Sequence, residues 1–354
     1  MPKNKLTIGG LCSGVGGIEL GFQKAGFDIS WANDMDKNAM ITYKSIIGKN
    51  HYIGGRPMLL ENIIQDRNLS SLLTKVDVLA AGFPCQAFSQ AGNKKGFDDK
   101  RGNVFFRICE LVNFLKNNRG APKVIFLENV KHFLRHNNGE TFNVVKEKLE
   151  ELNYSVYTKV INTSEYSYIP QNRERTFLVC FHKEKKWRDY QLDLSDKKDF
   201  TKKDLKIIEK KCPNPFRYHN LFIGIEKPKN VDIKNYLEKE NKVNKKYFYT
   251  KEKYERAFSI LSKTLNKEYT LYQYRRGDVR ENKSKECPTL TANMGTGGHN
   301  VPLILVNKKN MIIRKLTPEE CFRFQGYEAF NLPNNVADGQ LYKQAGNSVS
   351  LPVI

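Results

Sequence analysis

Leu6-Thr7-Ile8-Gly9-Gly10-Leu11-Cys12-Ser13-Gly14-Val15-Gly16-Gly17 is the stretch that decides the fold of this chain. Residues 6–11 are a short apolar run of strand character, and residues 13–17 are a glycine-rich turn. An amphipathic stretch, 18–24, follows and stops at Ala25-Gly26, where glycine can take the left-handed conformation that ends a helix. Strand, glycine turn and helix together open a βα unit. The pattern recurs down the chain: strand-like runs lie at 27–32, 76–81, 124–127, 156–161 and 176–181, with helical segments at 105–116 and 141–152. Such alternation predicts an α/β fold built on a mostly parallel sheet.

The 354 residues suffice for one large domain with a substantial core and a smaller second one. Beyond His182 the alternation stops, and Lys-Glu-Lys-Lys and Asp-Lys-Lys-Asp runs lead into a stretch without clear periodicity until the apolar run 301–306. That stretch reads as a separate, irregular, basic domain. Leu316-Thr317-Pro318-Glu319-Glu320 then opens a helix: Thr317 is an N-cap, Pro318 takes the first helical position and Glu320 completes a capping box. The expected organisation is a catalytic and ligand-binding domain at 1–182, a second domain at 183–313, and a return segment at 314–354 that completes the first.

Lys and Arg number 59 against 38 Asp and Glu, a formal charge of +21. A surplus of that size favours a phosphate-rich partner held with strong salt dependence. A coding bias toward Lys, Asn, Ile and Tyr would produce the same surplus, so charge alone does not decide. The seven cysteines (12, 85, 109, 180, 212, 287 and 321) are scattered, with no Cys-x-x-Cys pair, so neither a metal site nor a disulfide framework is expected. No run approaches the ~18 apolar residues of a membrane span, and the N-terminus lacks a signal-peptide core. A reducing cytoplasm is the expected location.

Two candidate sites emerge. In the first, Ser13-Gly14-Val15-Gly16-Gly17 lets the backbone approach a ligand at a helix N-terminus, and Asp34, 20 residues after Gly14, ends the second strand where an acid can bind both hydroxyls of a ribose. A dinucleotide fingerprint would need a third glycine near position 19, where Glu19 stands. An adenosine-type ligand without a phosphate clamp therefore fits better than a dinucleotide. In the second, Ala81-Gly82-Phe83-Pro84-Cys85-Gln86-Ala87-Phe88-Ser89 sets a thiol at the exit of a buried strand, before a glycine-rich basic loop at 90–102. Glu128 stands near the same edge of the next strand, and Gln171-Asn172-Arg173-Glu174-Arg175 brings two guanidinium groups to its side. Each of these has a plain alternative reading, as a solvated strand end or an ordinary surface run. Together they suit one chemistry. Cytosine is too electron-poor at carbon 5 to accept a methyl group until a nucleophile adds to carbon 6. A thiolate supported by nearby cations can add, and a carboxyl group on ring nitrogen 3 stabilises the charge that develops.

The chain resembles the DNA (cytosine-5)-methyltransferase family of the bacterial restriction-modification type, over nearly its whole length. Ser13-Gly14-Val15-Gly16-Gly17, Gly82-Phe83-Pro84-Cys85-Gln86, Glu128-Asn129-Val130, Gln171-Asn172-Arg173-Glu174-Arg175, Arg314-Lys315-Leu316-Thr317-Pro318-Glu319-Glu320-Cys321 and Gly346-Asn347-Ser348-Val349 are similar to six of its motifs, in order. The resemblance implies a Rossmann-like domain that binds S-adenosyl-L-methionine, releases S-adenosyl-L-homocysteine, and carries a smaller target recognition domain between the arginine motif and Arg314. It assigns catalysis to Cys85, Glu128, Arg173 and Arg175. It assigns the cofactor to Cys12, Gly14, Val15, Gly16, Gly17, Asp34, Met35, Asn62, Ile63, Pro84, Val104, Asn347 and Val349. Gln86, Ser89, Arg101, Arg275, Arg276, Thr289, Leu290, Gly297 and Gly298 are assigned to DNA, with Gln273 and Arg280 also available for base edges.

Three departures stand out. Cys12 replaces a phenylalanine usual against the cofactor, Asn62 replaces an aspartate that accepts the adenine amino group, and the chain stops at Ile354, where relatives usually continue into a longer closing helix. The expected function is methyl transfer to cytosine carbon 5 in a short duplex DNA site, by base flipping, in a monomer that acts separately from any cognate restriction endonuclease. The alternatives are a methyltransferase of the same fold acting on RNA, or a catalytically silent DNA-binding relative.

Overall fold

Continuous apolar strands belong where both faces of a sheet are covered, and the first half of the chain folds accordingly. The computed structural model describes residues 5–84, 104–183, 231–295 and 301–354. Strands β1 (Thr7–Leu11), β2 (Asp28–Asn33), β3 (Val78–Gly82), β4 (Val124–Val130), β5 (Tyr154–Asn162) and β6 (Glu174–His182) form a sheet of order β2-β1-β3-β4-β6-β5. Neighbours from β2 to β4 are parallel, and β6 lies antiparallel to both β4 and β5. Only β6 runs against the rest, so the mostly parallel sheet expected from the pattern is present.

Successive side chains of a strand point to opposite faces. Leu79, Ala81, Ile125 and Leu127 therefore join one core, with Phe105, Ile108, Leu111, Val112 and Leu115 of helix Val104–Asn118. Val78, Ala80 and Phe126 join the other, with Ile18 of helix Gly17–Lys24, Phe177 and Val349. The strand β4 continues to Val130, beyond the apolar run 124–127, because β6 pairs with it as far as Val130 opposite Arg175. Glu128 consequently sits inside the sheet, opposite Phe177, and not at a strand end.

Residues 231–315, which show little periodicity, contain a second sheet. Strands β7 (Phe248–Tyr249), β8 (Leu271–Arg275), β9 (Asp278–Glu281), β10 (Leu303–Asn307) and β11 (Ile312–Lys315) pair antiparallel in the order β7-β11-β10-β8-β9. Each has five residues or fewer, too short to show alternation in the sequence. One face packs on Leu261 and Phe258 of helix Lys251–Thr264; the other packs on Phe322, Phe324, Tyr342 and Ala345 of the last segment.

The expected capping box is present: Thr317 accepts from the Glu320 amide, and the Glu320 carboxylate accepts from the Thr317 amide at 2.8 Å. Glu320 also holds Arg314 of β11 through both oxygens, at 2.8 and 2.9 Å, and Glu240 closes the other side of the same guanidinium. Arg314 and Glu320 are fully buried, so the second sheet is locked to the helix after it by a charged group with its donors paired. Among the described residues no helix is long and apolar enough to cross a membrane. None of their His, Cys, Asp and Glu form a group of three or more able to hold a metal ion.

Candidate active site

Where β1 and β2 end side by side, the chain turns through Cys12 (φ 51°), Gly14 (φ 54°) and Gly16 (φ 81°) before helix Gly17–Lys24 begins. Three positive φ values in five residues make the loop a left-handed cradle, and Cys12 alone adopts this conformation without being glycine. At Gly17 an added Cβ would lie 2.8 Å from the Ser348 hydroxyl and 2.9 Å from Val349, so the glycine is needed for the last segment to close over the helix. Asp34 sits opposite the cradle, its two oxygens accepting the Gly14 and Asp36 amides at 2.8 Å each. Burial pushes its carboxyl up and these amides pull it down, with a net rise.

A cleft of about 380 Å³ runs from this cradle to the ends of β3, β4 and β6. It brings together Cys12, Gly14, Val15, Gly17, Asp34, Met35, Pro84, Val104, Glu128, Arg173, Arg175, Asn347 and Val349 from the sequence reading. Gly16, Asn62 and Ile63 do not line it: Asn62 is exposed on helix Leu60–Gln65 and Ile63 is in the core. Met35 is 70% exposed, an unusual state for a large apolar side chain and one that leaves its surface free beside the cradle. An acid, an exposed apolar side chain and a helix N-terminus around one cavity fit an adenosine-type cofactor.

At the other end Glu128 is 8% exposed and pairs with Arg175, Nε to Oε1 at 3.1 Å. Burial pushes the Glu128 carboxyl up, opposed by Arg175 and then Arg173. Gly82 is its neighbour across the parallel β3–β4 pairing, and a Cβ there would lie 3.6 Å from Glu128 Oε2. The Asn129 amide donates to the Phe83 carbonyl at 2.9 Å, fixing the backbone two residues before Cys85. Cys85, Gln86, Ser89, Arg101, Gly297 and Gly298 lie outside the described residues. Of the described thiols, Cys12 and Cys109 are pushed up to about 12, chiefly by burial, and Cys180, Cys287 and Cys321 are raised for the same reason. None of these five is prepared as a thiolate.

Arg173 and Arg175 differ in their partners. Arg173 is 1% exposed and donates to three carbonyls, those of Leu290 at 2.9 Å, Gly346 at 3.1 Å and Ser348. Thr289 is half-buried with its hydroxyl on the Asn172 carbonyl at 2.5 Å, and Leu290 is fully buried. Arg275 and Arg276 lie on the exposed β8–β9 hairpin, where Arg276 (φ 52°) and Gly277 (φ 92°) make the turn, and neither lines the cleft. The sequence reading missed Ser13, Asp36, Lys343, Gln344 and Ser348 as lining residues, and Asn129 and Gln171 as positioning groups. Ser13, Asn129, Gln171 and Ser348 stand inside the motifs already quoted, next to the residues that drew attention, whereas Asp36, Lys343 and Gln344 carry no local signal.

Comparison with known proteins agrees with this geometry. The family model described as C-5 cytosine-specific DNA methylase matches residues 6–354. Type II methyltransferase M.Bsp6I of Bacillus sp. (strain RFL6) is 43% identical over 99% of this chain and 96% of its own length. Type II methyltransferase M.HhaI of Haemophilus parahaemolyticus is 33% identical over 97% of this chain and 90% of its own. In fold, the S. pombe Dnmt2 methyltransferase superposes with a TM-score of 0.65 at 18% identity, covering 99% of this chain and 96% of that one. A cleft that joins a glycine cradle to a buried glutamate–arginine pair, in a chain matched end to end by these relatives, places the protein in the C-5 cytosine-specific DNA methylase family.

Proposed function

We propose that this chain methylates carbon 5 of a cytosine flipped out of a short duplex DNA site, with Cys85 as the nucleophile. The observation that carries the reading is the single cleft: the cradle and Asp34 line one end, Glu128 and Arg175 the other, and Gly82-Phe83-Pro84, the residues leading to Cys85, line it as well. When bound, S-adenosyl-L-methionine supplies the methyl group. The cradle at 13–17, Asp34, Met35, Asn347 and Val349 would hold it.

The remaining steps belong to the chain's own residues. Cys85 Sγ adds to carbon 6 of the ring, carbon 5 accepts the methyl group, and loss of the carbon 5 proton with release of the sulfur restores the aromatic ring. Glu128, buried and raised, can present a proton to ring nitrogen 3 as charge develops there, and Arg175 keeps that carboxyl oriented. Flipping the base costs a few kcal/mol, offset by contacts from the loop after Cys85 and from a target recognition domain at 183–313. The charge of +21 supports a phosphate-rich partner.

Transfer of tritium from labelled cofactor to duplex DNA, with bisulfite sequencing of DNA from an expressing host, tests the reaction and locates the site. Cys85→Ala is expected to abolish transfer and keep cofactor binding. Duplex carrying 5-fluorocytosine at the target is expected to trap a covalent adduct, since fluorine cannot leave as a proton does. Methylation of transfer RNA with duplex DNA untouched would overturn the DNA reading.

A further inference from the structure

Three stretches distant in sequence meet at Arg173, and their hydrogen bonds describe a seam. Cys287 donates its amide to the Pro170 carbonyl at 2.6 Å and accepts the Asn172 amide at 2.9 Å, so residues 287–290 dock along 170–173. Leu290 is held from both sides: Gln171 Oε1 accepts its amide at 3.3 Å, and Arg173 Nη1 donates to its carbonyl. Gln171 in turn donates to the Phe324 carbonyl and to Gln325 Oε1, and Gln325 donates to the Ala345 carbonyl at 2.7 Å. On the far side Arg173 Nη2 reaches the Gly346 and Ser348 carbonyls. Gly346 touches the same seam directly, since a Cβ there would lie 2.2 Å from the Thr291 carbonyl carbon. Gly346, Asn347, Ser348 and Val349 form the wall of the cleft beside the cradle.

We infer that Arg173 is a positioning residue for the cofactor wall, fastening residues 346–348 to the returning segment 287–290, and that Arg175 alone of the two arginines acts at the base. This rests on the methyltransferase reading above. The chemistry of the group favours it: a guanidinium has five N–H donors in a rigid planar fork, suited to fixing several carbonyls at once. A lysine at 173 keeps the charge and loses the fork. Arg175, by contrast, directs Nε at the Glu128 carboxylate.

The test compares Arg173→Lys with Arg175→Lys, measuring S-adenosyl-L-homocysteine affinity by calorimetry without DNA and turnover on duplex DNA at saturating cofactor. Arg173→Lys is expected to weaken the cofactor product by about tenfold or more, as carbonyls lose a charged donor, while kcat stays within about threefold. Arg175→Lys is expected to show the reverse, with kcat reduced and affinity kept. The Arg173 Nε has no hydrogen-bond partner among the described residues and the residue touches the cleft. A direct contact with the base through that atom would make kcat fall in Arg173→Lys with affinity unchanged, and that result overturns the inference. Unchanged values of both also overturn it.

Should Arg173→Lys fail to fold, Thr289→Val removes one bond of the same seam at a half-buried position; it is expected to weaken the cofactor product about threefold, and wild-type affinity there sinks the inference. Absence of S-adenosyl-L-homocysteine binding by the unaltered chain is a separate result, which removes the cofactor reading itself.

Discussion

The two sheets bury charge in opposite ways. The second sheet buries Arg314 and Glu320 as a pair, each group meeting donors or acceptors on the helix cap, on β11 and at Glu240. The first sheet buries Glu19 beneath the cofactor cradle, 1% exposed, with no hydrogen-bond partner for either carboxyl oxygen among the described residues. Gly10 makes room for it, since a Cβ there would fall 1.8 Å from Glu19 Oε1. Burial pushes Glu19 up to about 7. A paired buried charge holds an element in place, whereas a lone one favours its neutral form. The second sheet, packed on both faces like the first, is fastened in addition by a paired buried charge, whereas the first tolerates an unpaired carboxyl.

That contrast can be broken most forcefully at Glu320. Glu320→Ala leaves the buried Arg314 guanidinium with Glu240 as its remaining carboxylate partner and removes two charged hydrogen bonds and the capping box, so a loss of about 3–5 kcal/mol is expected in chemical denaturation. A loss below about 1 kcal/mol would show that the pair is not what fastens the sheet. Glu128 is the third buried carboxyl, lining the cleft beside Arg175. Glu128→Gln should lower kcat by roughly 10²–10³ with DNA binding kept, because its partner charge exists mainly in the transition state; equal losses in both would assign it a structural role.

Glu19→Gln sharpens the other side. A carboxyl raised in the fold supports stability below its unfolded value of 4.5, and that support is lost as pH rises through about 7. Thermal and chemical unfolding at pH 8 should therefore find Glu19→Gln more stable than the natural chain, by up to about 3 kcal/mol, with the advantage gone at pH 4. A constant difference across this range would mean that Glu19 does not titrate there. The smallest effect is expected at Thr317→Ala, where the loss of one N-cap on the helix Pro318–Arg323 should cost about 1 kcal/mol in denaturant midpoint.

The same contrast explains what could be read from the chain. Strands β1 to β6 and the helices Gly17–Lys24, Val104–Asn118 and Glu140–Glu151 were visible because apolar runs flanked by glycine turns have few other stable arrangements, whereas helix Lys37–Ile47 was not read. The capping box at Thr317 was visible because it is local, three residues deep. Of the second sheet, the apolar run 301–306 around β10 stood out, but the other strands did not, since β7 has two residues and β9 four, and β7 and β8 meet partners distant in sequence. In the site, the cradle, Glu128 and both arginines could be named from their motifs. The division of labour between Arg173 and Arg175 could not, because it depends on carbonyls of Leu290, Gly346 and Ser348 that arrive from the far end of the chain.

By itself, then, the order of residues determined the α/β class, the motif set and the chemical types in the cleft, because periodicity and turn chemistry act over a few neighbours. Only the tertiary structure decided that Glu128 lies within β4, that Leu290 is buried and that Arg173 bonds the carbonyls of Gly346 and Ser348 while Arg175 meets the carboxylate. Hydrogen bonds between segments 46 to 175 residues apart form only after the sheets have packed, so no local pattern encodes them.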